Sequence, residues 1–311
     1  MSTYIPDEKH RLVLATCPDV PEASPAFPIP LQKVGISGKT VWVALADNKG
    51  GHIPFELKVF VDLPAHRRGI HMSRIEQAVT SLYNNQFTSL PEYGRQLASR
   101  VLEVQNANMI HLVLTGKMPL IRQASVSRLS SIDSFDIGVS VELTREDKDI
   151  REKARVSAGV YHLTACPCTL SYNETLFSRF DDPWPQATHS QRSKTELLVA
   201  PPDYKMLPGY NDLLDILDKV LHISQDLLKR PDETELVLKA HRNPQFAEDT
   251  VREVAWAAGE KFRNTLPPET EILIKTLSLE SIHIHDVECS LHTRLADILK
   301  ISDERKKAFS K

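Results

Sequence analysis

Residues 55–63 read Phe-Glu-Leu-Lys-Val-Phe-Val-Asp-Leu, with Phe55, Leu57, Val59 and Val61 on every second position. That period predicts a strand with one apolar face. Upstream, Val41, Val43 and Leu45 alternate with Trp42, Ala44 and Ala46, which predicts a partner strand. Downstream the period lengthens. Ser73 is placed to cap a helix reaching Asn84, with Ile75, Val79 and Leu82 on its inner side. Pro91 suits the first turn of a second helix, 91–104. Strands are expected again at 109–115 and 135–143.

Beyond a charged bridge at 145–153, read as a solvated loop or hairpin tip, a similar order recurs. A strand over 154–165 runs into Cys166-Pro167-Cys168. Residues 170–188 read as loop and 195–199 as strand. Leu213, Leu214, Leu217, Val220 and Leu221 predict a helix over 210–229, and another is expected at 244–262. Arg230-Pro231-Asp232-Glu233 reads as a helix end. Strands at 271–277 and 281–291 and a charged tail close the chain. Paired helices set between hairpins argue for an α+β fold over a doubly wound parallel sheet. The expected organisation is a proline-rich irregular arm over 1–33, a first module over 34–150 and a second over 151–311.

Apolar residues make up 41% of the 311 and charged residues 25%, an ordinary globular balance. A net charge of −3 favours neither nucleic acid nor an anionic membrane as partner. No apolar run approaches the roughly 18 residues of a membrane span, and the polar start lacks a secretory core. The expectation is a cytoplasmic protein in a reducing compartment, with Cys166 and Cys168 available as thiolates.

Chemistry-bearing side chains fall in clusters. His66, Arg67, Arg68, His71 and Arg74 sit between a predicted strand and helix, where backbone N–H groups and the helix dipole attract anions. A polar turn with solvated arginines is the plainer reading. Cys166 and Cys168 have no second cysteine pair, which excludes a four-cysteine zinc site. A site with three protein ligands and one open position remains, as does a pair of buried thiols at a strand end. His189, Arg192 and Lys194 form a third cluster, Asp232 and Glu233 a fourth, and Glu248 and Asp249 open a predicted helix. His283 and His285 would share one face of a strand, where they bind metal, shuttle protons or are simply exposed.

Taken in order, VDLPAHRRGIHMSR (61–74), CPC (166–168), THSQR (188–192), RPDE (230–233), NPQFAED (243–249) and ESIHIHD (280–286) resemble the GTP cyclohydrolase IB family, including its archaeal methanopterin-pathway branch. The resemblance runs over about 34–299. It implies tandem tunnelling-fold (T-fold) modules, each an antiparallel sheet with two helices on one side, assembled as a homotetramer with active sites at subunit interfaces. It implies hydrolysis of GTP to formate and a dihydroneopterin phosphate, either the triphosphate or a cyclic phosphate, with one divalent metal per subunit (Fe2+, Zn2+ or Mn2+).

Under that resemblance Cys166, His189 and Glu233 match metal ligands, and Cys168 shapes the site without binding metal. Glu248 matches the carboxylate that holds the guanine edge. The pool for the triphosphate is Arg67, Arg68, Arg74, Arg192 and Lys194, and His283, His285 or His71 supplies the general acid. Two departures stand out: a long insertion around Asn173–Trp184, and the arm, read as an extension. THSQR and ESIHIHDV resemble the archaeal branch more than the bacterial one. The competing readings are a T-fold deazapurine nitrile reductase, with Cys166 as nucleophile, and a non-catalytic purine-binding module.

Overall fold

A computed structural model describes residues 4–46, 51–147, 149–177, 184–226 and 228–309. The chain is mixed α+β, and its backbone contacts divide it into two compact units. Unit 1 holds Met1–Ile53, Leu57–Leu112 and Glu142–Arg151; unit 2 holds Pro54–Glu56, Val113–Val141 and Glu152–Lys311. Among the described residues, no helix is long and apolar enough to cross a membrane.

Unit 1 begins with α1 (Asp7–Thr16) and a 3-10 turn at Val20–Glu22. Then come β1 (Leu31–Leu45), β2 (His52–Leu63), α2 (Met72–Ser81), β3 (Gln86–Phe87), α3 (Leu90–Val104) and the start of β4 (Met109–Gln123). The strands lie in the order β4-β2-β1-β3. The alternation in β2 is real: Leu57, Val59, Val61 and Leu63 are buried, and so are Val41, Val43 and Leu45 of β1. α2 and α3 pack together, burying Ile75, Ala78, Leu97, Ala98 and Val101. Ser89, not part of the sequence reading, caps α3 by accepting the Glu92 N–H at 3.3 Å, with Pro91 in the first turn.

Unit 2 contains β5 (Ser130–Glu146), β6 (Asp149–Ala165), α4 (Pro167–Phe177), β7 (Ser190–Ala200), α5 (Tyr210–Val220), β8 (His222–Ile223), α6 (Arg230–Arg242), α7 (Ala247–Phe262), β9 (Glu271–Ser278), β10 (Val287–Arg294) and α8 (Leu295–Phe309). Its strands run β10-β9-β7-β6-β5-β4, antiparallel at β6–β7, β7–β9 and β9–β10. α7 lies against β9 and α5, with Val251, Val254, Ala258 and Phe262 turned inward. A ladder of buried hydroxyls crosses the same strands: Thr164 meets Ser193 at 3.0 Å, Ser193 meets Ser278 at 3.3 Å, and Thr195 meets Thr276 at 2.9 Å.

Several local expectations need correcting. The arm is not wholly irregular, because α1 and the 3-10 turn lie within it. The helix expected to reach Asn84 ends at Ser81. The charged bridge is, as expected, a hairpin tip: β5 and β6 run into it and reverse near Asp147, whose φ of 52° an aspartate tolerates. Residues 167–177 form a helix with Pro167 at its start, so the expected loop is shorter; residues 178–183 of the insertion, Pro183 among them, lie outside the described residues. α5 stops at Val220, and the apolar residues beyond it pair with β6 as β8. Arg230–Glu233 opens a helix instead of ending one, as Pro231 and the acidic first turn favour. The charged tail is α8.

A candidate active site around Cys166 and His189

β6 ends at Ala165, paired with Ser190 at the start of β7. This register brings the Cys-Pro-Cys turn to the residue before β7. The Cys166 N–H donates to the His189 carbonyl at 3.0 Å, and the Thr188 hydroxyl donates to the Cys166 carbonyl at 2.8 Å. Both Cys166 and His189 are half-buried at one end of the sheet.

A chain of acceptors and donors fixes the imidazole of His189. Glu280, as a carboxylate, only accepts; it takes the Ser278 hydroxyl at 2.8 Å and the Gln191 side-chain N–H at 3.4 Å. The amide oxygen of Gln191 then faces His189 Nδ1 at 3.1 Å. An oxygen there requires a proton on Nδ1, which leaves the Nε2 lone pair of neutral His189 bare. This is the arrangement a metal-binding imidazole has when its other nitrogen is held by the protein.

His283 and His285 are not on a strand. Residues 279–286 are irregular, and β10 starts only at Val287. The two rings nevertheless stack, 5.3 Å apart at 15°, and His283 presents to His189 edge-on at 6.3 Å. Both are exposed, as are Ile282 and Ile284 between and beside them.

The other expected residues are placed as follows. Cys168 is exposed on α4. Glu233 is exposed in the first turn of α6, and Glu248 in the first turn of α7. Glu248 is near Cys289, whose thiol is pushed up first by burial and then by that carboxylate. Lys194 is bound to Asp136 at 2.5 Å, a hydrogen bond that raises the lysine pKa. Arg192 and Lys194 both lie over the Tyr161 ring, at 5.1 and 5.5 Å. In unit 1, Arg68 is exposed, Arg74 half-buried, and Arg67 and His71 buried.

Among the described residues, no three His, Cys, Asp or Glu side chains gather as a complete metal cage. Cys166 carries a soft donor and the bare Nε2 of His189 an intermediate one, on residues joined through the backbone, and that pair of donor types suits zinc or iron. The donor chemistry therefore fits a divalent metal, with the third protein donor not grouped beside the pair.

Sequence reasoning gave no role to Gln191, Glu280 or His241. Gln191 and Glu280 sit inside the quoted motifs, and only the fold shows that they meet. His241, at the end of α6, sets Nε2 against the Thr188 carbonyl at 3.3 Å and Nδ1 against the Val237 carbonyl at 2.8 Å. Asp232 anchors the other end of α6 by accepting the Val126 and Ser127 N–H groups at 2.8 and 2.9 Å. Those bonds hold its carboxyl far below the usual range, the Ser127 backbone contributing most. Helix α6 is thus tied down at both ends.

Comparison with known proteins follows the same lines. Among solved structures, a uricase from Bacillus fastidious covers 87% of this chain and 95% of its own at a TM-score of 0.53 and 8% identity. A Bacillus urate oxidase mutant covers 85% and 99% at a TM-score of 0.50 and 9% identity. At such identities the likeness is one of fold, a T-fold-like α+β architecture. Sequence relatives are closer. A protein named GTP cyclohydrolase MptA from Pyrococcus abyssi is 30% identical over 277 residues, covering 86% of this chain and 96% of its own. Its namesake from Methanococcus aeolicus is 29% identical over 304 residues, covering 90% and 97%. The family model described as type I GTP cyclohydrolase folE2 matches residues 17–289. That span takes in the second half of the arm, previously read as an extension, and all of the Cys166–His189–Gln191–Glu280 arrangement. The chain therefore belongs to the type I GTP cyclohydrolase family.

Proposed function

We propose that this GTP cyclohydrolase hydrolyses the guanine ring of GTP at C8, releasing formate and a 7,8-dihydroneopterin phosphate, the triphosphate or its 2',3'-cyclic form. The observation that carries the reading is that Gln191 and Glu280 hold Nδ1 of His189, leaving Nε2 bare on the residue whose carbonyl accepts the Cys166 N–H. Cys166, His189 and Glu233 hold one divalent metal, Fe2+, Zn2+ or Mn2+. Bound there, the metal supplies Lewis-acid chemistry, lowering the pKa of a coordinated water toward about 7.

The chain's own groups do the rest. His283, or failing it His285 or His71, delivers the proton to N7 and then to the departing nitrogen. Glu248 receives the guanine N1–H and 2-amino hydrogens. Arg67, Arg68, Arg74, Arg192 and Lys194 are the cation pool for the triphosphate. Cys168 shapes the wall of the site.

The proposal includes the tandem T-fold organisation, with an arm over 1–33 and modules over 34–150 and 151–311. It also includes a cytoplasmic homotetramer with sites at subunit interfaces and neither nucleic acid nor membrane as partner. An interface site would allow the third ligand to come from another copy of the chain. A nitrile reductase needs Cys166 free as a nucleophile, and a His189 with Nε2 left bare, joined to Cys166 through the backbone, favours ligation instead.

The deciding experiment is anaerobic incubation of the full chain with GTP and Fe(II), Mn(II) or Zn(II), with products identified by mass. Formate with a dihydroneopterin phosphate is expected, and Cys166→Ala should lose metal and turnover together. Absence of formate with every metal, or NADPH consumption with a deazapurine nitrile, would overturn the reading.

A further inference from the structure

The arm is bound to unit 1 by its charges. Among the described residues of 4–30, all are exposed except the half-buried Pro21 and Pro25, and α1 buries nothing. Yet the turn at Asp19–Glu22 sits directly on the cationic segment before and within α2. The Pro21 carbonyl accepts the Arg68 and Gly69 N–H groups at 3.0 and 3.1 Å. Glu22 Oε1 takes His71 Nε2 at 2.8 Å and lies 3.3 Å from Arg67 Nη2. Asp19 lies 3.8 Å from His71 Nδ1 and 3.7 Å from Arg74 Nη2. The His71 hydrogen bond is the main reason the Glu22 carboxyl titrates below its ordinary range.

The cationic side is rigid and incompletely satisfied. Gln105 is buried and grips His71 on both sides, accepting its N–H at 3.0 Å and donating to its carbonyl at 2.8 Å. Arg67 is only 6% exposed and gives Nη1 to the Gln105 carbonyl at 2.7 Å. Its Nε makes no hydrogen bond, and its Nη2 meets Glu22 only as an ion pair at 3.3 Å. A buried guanidinium with an unused Nε donor, a buried imidazole and the partial positive charge at the start of α2 form a cradle for an anion with several acceptor oxygens. A single carboxylate oxygen fills it poorly.

We propose that the Arg67–His71–Arg74 cradle is a polyphosphate site that Glu22 fills in the absence of ligand, and that a polyphosphate displaces the arm from it. The inference rests on the reading that these arginines serve the triphosphate, and it adds that the arm competes with the triphosphate. The balance of charge favours exchange. Asp19 and Glu22 bring two negative charges to Arg67, Arg68 and Arg74, whereas a triphosphate brings more charge and offers two or three oxygens to each guanidinium. Apart from the half-buried Pro21 and Pro25, the described residues of the arm are already exposed, so its release uncovers little apolar surface. Both acidic residues fall inside the span shared with the family.

The test uses the metal-free full chain and inorganic tripolyphosphate, read by calorimetry and by amide hydrogen exchange over residues 17–24. Tripolyphosphate should bind, and its binding should speed exchange in the arm. Glu22→Gln should tighten binding about tenfold, the worth of one competing charge-assisted hydrogen bond. Arg74→Ala, at a half-buried position that tolerates truncation, should weaken it by a similar factor. No binding, equal affinity of wild type and Glu22→Gln, or arm exchange indifferent to tripolyphosphate would each overturn the proposal. Because the assay involves neither metal nor guanine, its outcome is independent of formate release from GTP, and either claim can fail while the other stands.

Discussion

The ring of His283 meets that of His189 edge-on, 6.3 Å between centroids and 89° between planes. The exposed loop after β9 thereby delivers an imidazole beside the residue whose Nε2 is bare. From this follows the first prediction: His283→Ala keeps the metal content of the wild type but lowers kcat about 10²- to 10⁴-fold, as removal of a general acid does. Metal analysis alongside steady-state formate release checks it. Full activity in the variant would move the role to His285, stacked 5.3 Å behind, or to His71.

Gln191 is expected to act through the tautomer of His189. Gln191→Leu removes the acceptor that holds the proton on Nδ1, and metal affinity should drop about 10- to 100-fold. Chelator competition with Co(II) measures it directly. Gln191→Glu restores an acceptor toward Nδ1 but sets a second carboxylate against Glu280, so it should recover only part of the loss. An affinity unchanged in Gln191→Leu would show that the relay does not govern His189.

For Glu248→Ala, GTP affinity should fall by about two orders of magnitude, the loss of a paired, charge-assisted contact to the guanine edge. Equilibrium binding of GTP to metal-free protein separates this from any effect on chemistry. Unchanged binding would remove Glu248 from the guanine site.

A pH dependence of stability comes from His162. This residue is fully buried in β6, with Nε2 against the Thr195 hydroxyl at 2.8 Å, and burial, reinforced by neighbouring His222, pushes its pKa down to about 3. The unfolded chain takes up that proton near pH 6.5, whereas the folded one resists until about pH 3. The contribution is therefore intact above pH 6.5 and is lost progressively as pH falls from 6.5 toward 3. Urea unfolding at several pH values should show this slope, and His162→Asn should flatten it relative to wild type.

The strand-strand-helix-helix order was legible because amphipathic period is a local property. Phe55 to Val61 and the Leu213–Leu217 face each announce their element without knowledge of the rest. Element ends were less so. Leu221 to Ile223 continue an apolar pattern that belongs to a helix by spacing, but pairing with β6 claims it. Arg230–Glu233 carried a start signal, Pro231 with two acids, that was read in the wrong direction. Cys166 and His189 were singled out as isolated clusters, and the β6–β7 register explains why they meet. What no local reading reveals is contact across distance: Glu280 with Gln191, or Glu22 with His71. Such pairs depend on the closed fold, and Gln191, Glu280 and Glu22 do not look unusual in their own segments.

The ladder of hydroxyls across β6, β7 and β9 bears on how this sheet can change over generations. Thr276 bonds Thr195, which also faces His162, and Thr164, Ser193 and Ser278 form a chain that ends on Glu280. Replacing one by valine strands its neighbour's donor in a dry interior, at a cost of about 1–3 kcal/mol, and replacing Thr195 or Ser278 together with its hydroxyl partner still strands His162 or Glu280. Descendants of this chain should therefore keep hydroxyls at these positions, serine trading with threonine, for as long as His162 and Glu280 stay, and a redesign for heat tolerance that greases the ladder would have to change those two residues as well.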